Sequence, residues 1–581
     1  MIDDQNHPMM GSSGSQGSCC FEQTLGRGNP EVGAYIDRRV ARVEIRGDSN
    51  GELDQKERGL WAAEHLSAGE VIFSNRPCAH VLTGQHLQSR CTHCLCTAPE
   101  GDILSQCGKC KFVRYCGAQC QRADWAQHRA ECAALAGSSG TGPNSERFSL
   151  LDACRHAGLG EEDVLRDTRL ALRLSVLFTL APDEVPVSAS CRVVAEPTQR
   201  ASDSSNDAVS IQCGAAHVMD MCSGEKAGGA AAHDTVVQFV TRLLSKGRKK
   251  KTTLTAPIIL SLLQKFQVNN FGITDDLLQC IGAGVFPATA LLNHSCQPSC
   301  ILRYSLSRCS PPCLAVVALP ELYAGLELTH SYVDLAQPTA GRQTKLNETY
   351  GFFCTCNRCL DAGHGKMSGA NCAQVSQEFS KSGSIEETLQ LSLSVECNSL
   401  YGKLSEQQHA TLVTLNVEKE LCAFRVCDGE AATAITEAAR WQREAAMAGL
   451  ADDAVAGARE EVRCLEHALA VLLGACGPFH FEVYKVHGQL MSASLMTGDY
   501  PRALRYCFLI VGYLRLVFSD VPQHPLLGLQ LYTLGDILTT QPGKAAEALQ
   551  AFRISHEILK FAFGHTNIMV RRLEDSMRDL N

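Results

Sequence analysis

The chain has 581 residues, with 53 Lys and Arg against 62 Asp and Glu, a formal charge of −9 and a sequence pI near 6.1. That balance excludes a globally basic nucleic-acid coat and leaves only local basic patches for phosphate contact. With 45% apolar and 20% charged residues a largely disordered chain is excluded as well, and the length suggests roughly three or four domains.

No apolar run reaches the roughly 18 residues of a membrane span, and the N-terminus lacks the basic, apolar and small-residue blocks of a secretory leader. The expectation is a soluble protein of cytoplasm and nucleus with no membrane partner. Thirty cysteines in such a chain point to metal-bound thiolates rather than disulfides. Asn293-His294-Ser295 and Asn347-Glu348-Thr349 fit the glycosylation triplet but carry no weight in that compartment.

Residues 1–35 are rich in Gly, Ser, Asn and Gln and predict a disordered tail. Cys19-Cys20 has no adjoining polybasic or apolar stretch to make it a lipid anchor. From 36 to 90 short strands are expected at Val43-Glu44-Ile45, Gly59-Leu60-Trp61-Ala62 and Gly69-Glu70-Val71-Ile72-Phe73. Residues 133–267 carry helical patterning, clearest at about 147–182, around a low-complexity stretch at about 186–232 that reads as a flexible surface insertion outside the core. Lys246-Gly247-Arg248-Lys249-Lys250-Lys251 reads first as solvated loop charge, with a nuclear address or direct DNA-phosphate contact as the alternatives.

A second β-rich block covers 268–340, a cysteine cluster lies within 341–365, and 375–581 is helical. In that last region Gly498-Asp499-Tyr500-Pro501 and Gly543-Lys544-Ala545 align at a spacing of 45, each a turn entering a helix. The elements at His480, His524 and His565 recur every 41 to 44 residues. This is a helical-hairpin repeat with a longer period than the roughly 34 of the tetratricopeptide unit.

Residues 91–132 hold Cys91-x2-Cys94, Cys107-x2-Cys110, Cys116-x3-Cys120 and His128-x3-Cys132. A Cys-x2-Cys knuckle brings two thiolates to one ion, and His128 and Cys132 lie one helical turn apart on one face. Eight ligands make two closed, structural zinc sites, whose binding energy folds a segment too small to stand on its own core. Cys354-x-Cys356-x2-Cys359 supplies three more thiolates, and Cys296 is the candidate for a fourth at a third zinc. The remaining cysteines, Cys96 among them, read as buried small hydrophobes or surface thiols.

The spacing at 91–132 resembles the MYND zinc finger. That resemblance implies that Cys91, Cys94, Cys116 and Cys120 share one zinc and that Cys107, Cys110, His128 and Cys132 share the other. Lys109, Lys111, Arg114, Arg122 and Arg129 give the finger a basic character that suits acidic partners or offsets the thiolates. MYND fingers imply docking of proline-rich peptides or regulators.

Leu291-Leu292-Asn293-His294-Ser295-Cys296, then Glu327-Leu328-Thr329-His330-Ser331-Tyr332, then Tyr350-Gly351-Phe352-Phe353 before the cysteine cluster, are weak one by one. Their order, after a Gly-Leu strand at 59 and an inserted finger, resembles the SET and MYND domain-containing (SMYD) protein-lysine methyltransferases. The resemblance implies an α+β multidomain fold: a β-rich SET core split by a MYND finger, a post-SET zinc cluster, and an α-helical tetratricopeptide-like C-terminal domain.

It also implies S-adenosylmethionine as cofactor beside three structural zinc ions. Asn293 and His294, with Lys56, Arg58, Gly59 and Asn269, would hold it, and Phe352 would pack on it. Tyr332 would be the catalytic tyrosine, touching the cofactor too, while Phe271 and Tyr350 would wall the channel for a target lysine. The implied protein is a monomer that acts on histone or non-histone lysines and takes a chaperone or other partner at its helical domain. Lys56-Glu57-Arg58-Gly59 lacks the family's usual second glycine, and Leu326 stands where an acidic residue is common. A catalytically inactive scaffold or corepressor is the alternative, and methylation of histidine or another side chain a third reading.

Overall fold

The computed structural model describes residues 43–46, 59–99, 101–136, 161–178, 191–194, 211–213, scattered positions between 218 and 241, 255–364, 429–450, 453–476 and 480–580. The expected tail 1–35, Lys56, Arg58, the basic run 246–251 and the segment 365–428 lie outside the described residues.

Among the described residues, three small sheets form the β-rich half. In the first, β1 (Val43–Arg46), β2 (Gly59–Ala62) and β14 (Glu327–His330) pair antiparallel, and β11 (Asn293–His294) joins β14 in parallel, Asn293 opposite Thr329. The second has the order β4 (Ala79–Leu82), β10 (Cys280–Val285), β9 (Asn270–Thr274). The third runs β12 (Cys300–Ser305), β13 (Cys313–Ala318), β3 (Val71–Asn75), β7 (Cys191–Val194), β8 (Ile211–Cys213). The first and third sheets share one core of Leu60, Phe73, Leu292, Val316 and Leu328, all fully buried, and each such Leu or Phe contributes roughly 1.5–3 kcal/mol.

The stretch 186–232 departs from expectation. Strands β7 and β8 inside it extend the third sheet, Ser74 opposite Val194 and Val193 opposite Ile211. Val218 and Met221 are buried against Leu262 and Phe266 in the core around the helices α2 (Glu161–Leu174) and α3 (Ala256–Asn269). Strands of three and four residues, split by a polar low-complexity run, give no periodic signal, so only pairing with β3 defines them. The helix expected at about 147–182 is seen over α2; residues 141–160 are outside the description.

The finger comprises the hairpin β5 (Ser105–Gln106) and β6 (Arg114–Tyr115) and the helix α1 (Ala118–Ala136). A buried ionic lattice fastens α1 to α2. Arg173 bonds Glu131 Oε1 at 2.7 Å and pairs with Asp124, Arg169 Nε bonds Glu131 Oε2 at 2.9 Å, and Tyr115 donates to Asp124 at 2.8 Å. Burial alone would raise both carboxyl pKa values, but Arg173 holds Asp124 below, and Arg169 with Arg173 holds Glu131 well below, the usual carboxylate range. Two charges of each sign balance there, which is what makes their burial tolerable.

After the short helices α4 (Thr339–Tyr350) and α5 (Asn357–His364), the described C-terminal residues form α6 (Gly429–Ala448), α7 (Ala454–Ala475), α8 (Phe481–Met496), α9 (Tyr500–Val517), α10 (Pro525–Thr539), α11 (Ala545–Phe563) and α12 (Ile568–Asp579). The repeat read from the sequence corresponds to helix starts. Gly498 and Gly543 sit at φ 73° and 77°, left-handed turns that favour glycine, just ahead of α9 and α11. His480, His524 and Asn567 accept backbone N–H bonds at the first turns of α8, α10 and α12. No described helix is long and apolar enough to cross a membrane.

His524 caps α10 by accepting from Leu526 N at 3.3 Å and stacks on Phe518 at 3.9 Å. Burial pushes its pKa from 6.5 down to about 3, and that of buried His487 likewise. Both stay neutral in the fold while the unfolded chain protonates below about 6.5. Their share of stability is therefore complete above that pH and falls as acidity rises, by up to about 1.4 kcal/mol per pH unit for each group. His524→Asn, which keeps a cap acceptor, is expected to flatten the fall in urea midpoint between pH 6.5 and 4.

Candidate functional site

The structure brings all twelve residues read as metal ligands into three donor sets: Cys91, Cys94, Cys116 and Cys120; Cys107, Cys110, His128 and Cys132; Cys296, Cys354, Cys356 and Cys359. Within each set the donor atoms lie within 4.8 Å of one another. Cys94 and Cys116 sulfurs are 3.5 Å apart, Cys107 and Cys132 3.8 Å, and Cys110 sulfur lies 3.6 Å from His128 Nε2. A tetrahedral zinc with 2.3 Å bonds has sulfur edges of about 3.8 Å, so the sets fit that ion and leave it no open position.

Each finger knuckle ends on a non-glycine residue in the left-handed region, Leu95 at φ 59° and Lys111 at φ 51°. Their N–H groups bond back to the first cysteine of the knuckle, Cys91 O and Cys107 O, both at 2.9 Å. His128 passes its Nδ1 to Glu131 at 3.1 Å, so the ionic lattice under α1 also orients a metal ligand.

The third set sits where the two halves of the molecule meet. Buried Arg342 lies along α4 with its guanidinium 3.2 Å from Cys296 sulfur and 3.8 Å from Cys359 sulfur. Arg358 reaches the carbonyls of Cys296 at 3.2 Å, Leu335 at 3.1 Å and Val517 of α9 at 2.9 Å. Tyr513 of α9 donates to Ala336 O at 2.7 Å. Far along the helical region, Asn567 bonds Asp276 at 2.7 Å, so the helices touch the β half at two separated places.

Directly beside the third set lies a cluster of rings. His294 accepts the Tyr332 N–H at Nδ1 (2.9 Å), and its Nε2 is 3.3 Å from Cys296 sulfur. The imidazole thus ties β11 to the chain after β14 and to the metal set, with both nitrogens engaged. Tyr332 donates its hydroxyl to Leu292 O at 2.6 Å. Its ring lies 5.2 Å from His294, 4.8 Å from Tyr350 and 4.9 Å from His330; Phe352 is 6.0 Å from His294, and Phe271 stacks on His330 at 5.9 Å.

Asn293 donates to Glu327 at 2.7 Å, and Gly59 lies against both: a Cβ there would come 2.7 Å from Asn293 Nδ2. Glycine is required at 59 for that approach. Asn269 ends α3, two residues ahead of Phe271, with its amide donating to Lys265 O at 2.9 Å. Lys56 and Arg58 lie outside the described residues.

His330 and Tyr350 of the ring cluster are held neutral by burial, which pushes His330 down to about 3 and raises Tyr350 above its ordinary value. His330 Nε2 is buried without a hydrogen-bond partner. Glu327, His330, Arg342 and Arg358 are site residues that sequence reasoning passed over. The first two stood in a quoted segment with alternating burial, and the two arginines carried no spacing signal.

A model of the MYND finger family matches residues 91–132. Across 93% of the chain, and 96% of the relative, it is 25% identical to the histone-lysine N-methyltransferase ASHR1 of Arabidopsis thaliana. It is 30% identical over 304 residues to the N-lysine methyltransferase SMYD2-A of Danio rerio and 27% identical over 320 residues to SMYD2 of Homo sapiens. Those two alignments cover 52% and 54% of this chain and 58% and 62% of the relatives, so the chain matches somewhat under two thirds of their length. The chain carries a MYND finger and is similar to SMYD-type lysine methyltransferases. The match to ASHR1 runs through the helical region, whereas the SMYD2 alignments span about half of the chain.

Removing the charge that offsets the third thiolate set is expected to loosen its metal. Arg342→Leu should weaken that site by about 10–100-fold in a competitive chelator titration while the two finger sites keep their affinity.

Proposed function

We propose that the chain is an S-adenosylmethionine-dependent protein-lysine N-methyltransferase with a split SET core (36–90 and 268–340), the inserted MYND finger, a post-SET zinc segment (341–365) and a tetratricopeptide-like helical domain from 375. The observation that carries the reading is the meeting of Gly59, Asn293, His294, Tyr332, Tyr350 and Phe352, drawn from four distant stretches, at one aromatic-rich cluster. The relatives' names as lysine methyltransferases support it.

The residues fit the cofactor. Gly59 lets the Asn293 amide and the Glu327 carboxylate lie against the backbone of β2, and Phe352 offers a ring face near the adjoining His294. Because both His294 nitrogens are engaged within the chain, its contribution to the cofactor would come from the backbone of β11. When bound, the cofactor supplies a methyl group activated on a positive sulfonium.

A lysine amine has a pKa of about 10.4 and must shed its proton before it can attack. Surroundings of Phe271, neutral His330, Tyr332 and Tyr350 disfavour the ammonium form and exclude water. Tyr332 spends its proton on Leu292 O, so toward the amine it acts as an acceptor that aligns the nitrogen. His330 Nε2 is a second acceptor within the same cluster.

Target proteins, partners at the finger and helices, and residence in cytoplasm and nucleus follow this reading as proposals. The zinc-loaded chain should bind S-adenosylmethionine by calorimetry and transfer labelled methyl to lysines of histones or other proteins. Tyr332→Phe should cut transfer by at least about 100-fold with zinc content intact. An inactive scaffold would show no cofactor affinity, and a histidine methylase would be exposed by mass spectrometry of the product. His330→Phe keeps the ring stack; it should lower kcat by about tenfold without altering cofactor affinity.

A further inference from the structure

The hairpin joining β12 to β13 carries cysteines and prolines that the proposed reaction does not use. Its tip closes over the first finger site. Arg308 places one guanidinium nitrogen 3.8 Å from Cys116 sulfur and the other 3.2 Å from Thr97 O. Cys309, held in the left-handed region at φ 63°, rests its sulfur 3.7 Å from Cys120. Two of the four donors of that set, Cys116 and Cys120, are therefore met by this one hairpin, and a further thiol abuts the set.

Cys309 lies outside the donor set and is half-buried, whereas Cys120 is fully buried. Cys96, the other extra cysteine here, has its sulfur 3.6 Å from the Cys94 carbonyl. A thiol without metal, reachable from solvent and touching a zinc-bound thiolate, is placed to be oxidised first and resolved second.

We propose that Cys309 is a peroxide-reactive thiol whose oxidation captures Cys120 in a disulfide and opens the first zinc site. The Cys309 sulfur attacks one peroxide oxygen, the O–O bond breaks, and the departing hydroxide takes the thiol proton to leave as water. Cys120 then gives up its bond to zinc and attacks the sulfenic sulfur. The S–S bond forms, and the second oxygen leaves as hydroxide and gains a proton from solvent. Two sulfurs lose two electrons in total, and peroxide is reduced to two waters. The proposal concerns the zinc assignment and is independent of methyl transfer.

The test uses full-length, zinc-loaded protein treated with hydrogen peroxide, read by a chromogenic zinc chelator and by non-reducing peptide mapping. One of the three zinc equivalents should be released as a Cys120–Cys309 cross-link appears, and dithiothreitol with added zinc should reverse both. Cys309→Ser should slow release by at least about tenfold from protein that starts with full zinc content. Equal release from that variant, or a cross-link confined to Cys94 and Cys96, overturns the proposal. If the variant fails to hold its zinc, the wild-type map decides: absence of the Cys120–Cys309 peptide pair overturns it. Fewer than three zinc ions before oxidation would overturn the metal assignment instead.

Discussion

Four thiolates from two distant chain segments, Cys296 on one side and Cys354, Cys356 and Cys359 on the other, are confined in a buried space with Arg342 laid against them. Such a cluster of like charges is untenable without a cation at its centre and counter-charge around it. Its burial fixes the residue just before it, and His294 converts that anchorage into position. Because its ring spans Tyr332 N and Cys296 sulfur, the parallel pairing of β11 with β14 is locked to the metal set. Tyr332 takes its place at the proposed reaction centre from that lock.

The same cluster ties the β half to the helices. Arg358 spends its donors on carbonyls of Cys296, Leu335 and Val517, and Tyr513 reaches Ala336. A helical region built from repeats is stable largely through neighbour contacts and would otherwise be free to sit anywhere. Here its placement over the β half rests on the apolar core that joins Leu335, Ala336 and Leu346 to the helices, on a few buried hydrogen bonds to backbone carbonyls and on the Asn567–Asp276 contact. The finger is attached by a different device, the balanced lattice of Asp124, Glu131, Arg169 and Arg173, which both joins α1 to α2 and orients His128.

Much of this was legible in the residues. Cysteine spacing announced the metal sets because a knuckle needs its two thiolates at a fixed separation, and helix-start signals at Gly498, Gly543, His480 and His524 marked the repeat because caps obey local rules. The order of Asn293, His294, Tyr332 and Phe352 marked the site through resemblance. What escaped were elements without local periodicity, such as β7 and β8, and side chains whose meaning lies in a distant partner: Glu327 against Asn293, His330 against Phe271, Arg358 against Val517, Cys309 against Cys120.

The sequence by itself determined what depends on neighbours along the chain: knuckles, helix starts, short strands and the residue types able to hold zinc or wall an uncharged channel. Only the tertiary structure decided that Arg342 and Arg358 are laid against the third set, that both His294 nitrogens are consumed within the chain, and that a hairpin of the β half caps the finger's first site. The physical reason is range. Backbone geometry and spacing act over a few residues, whereas burial, charge compensation and ring contact are properties of groups that meet only once the chain has folded.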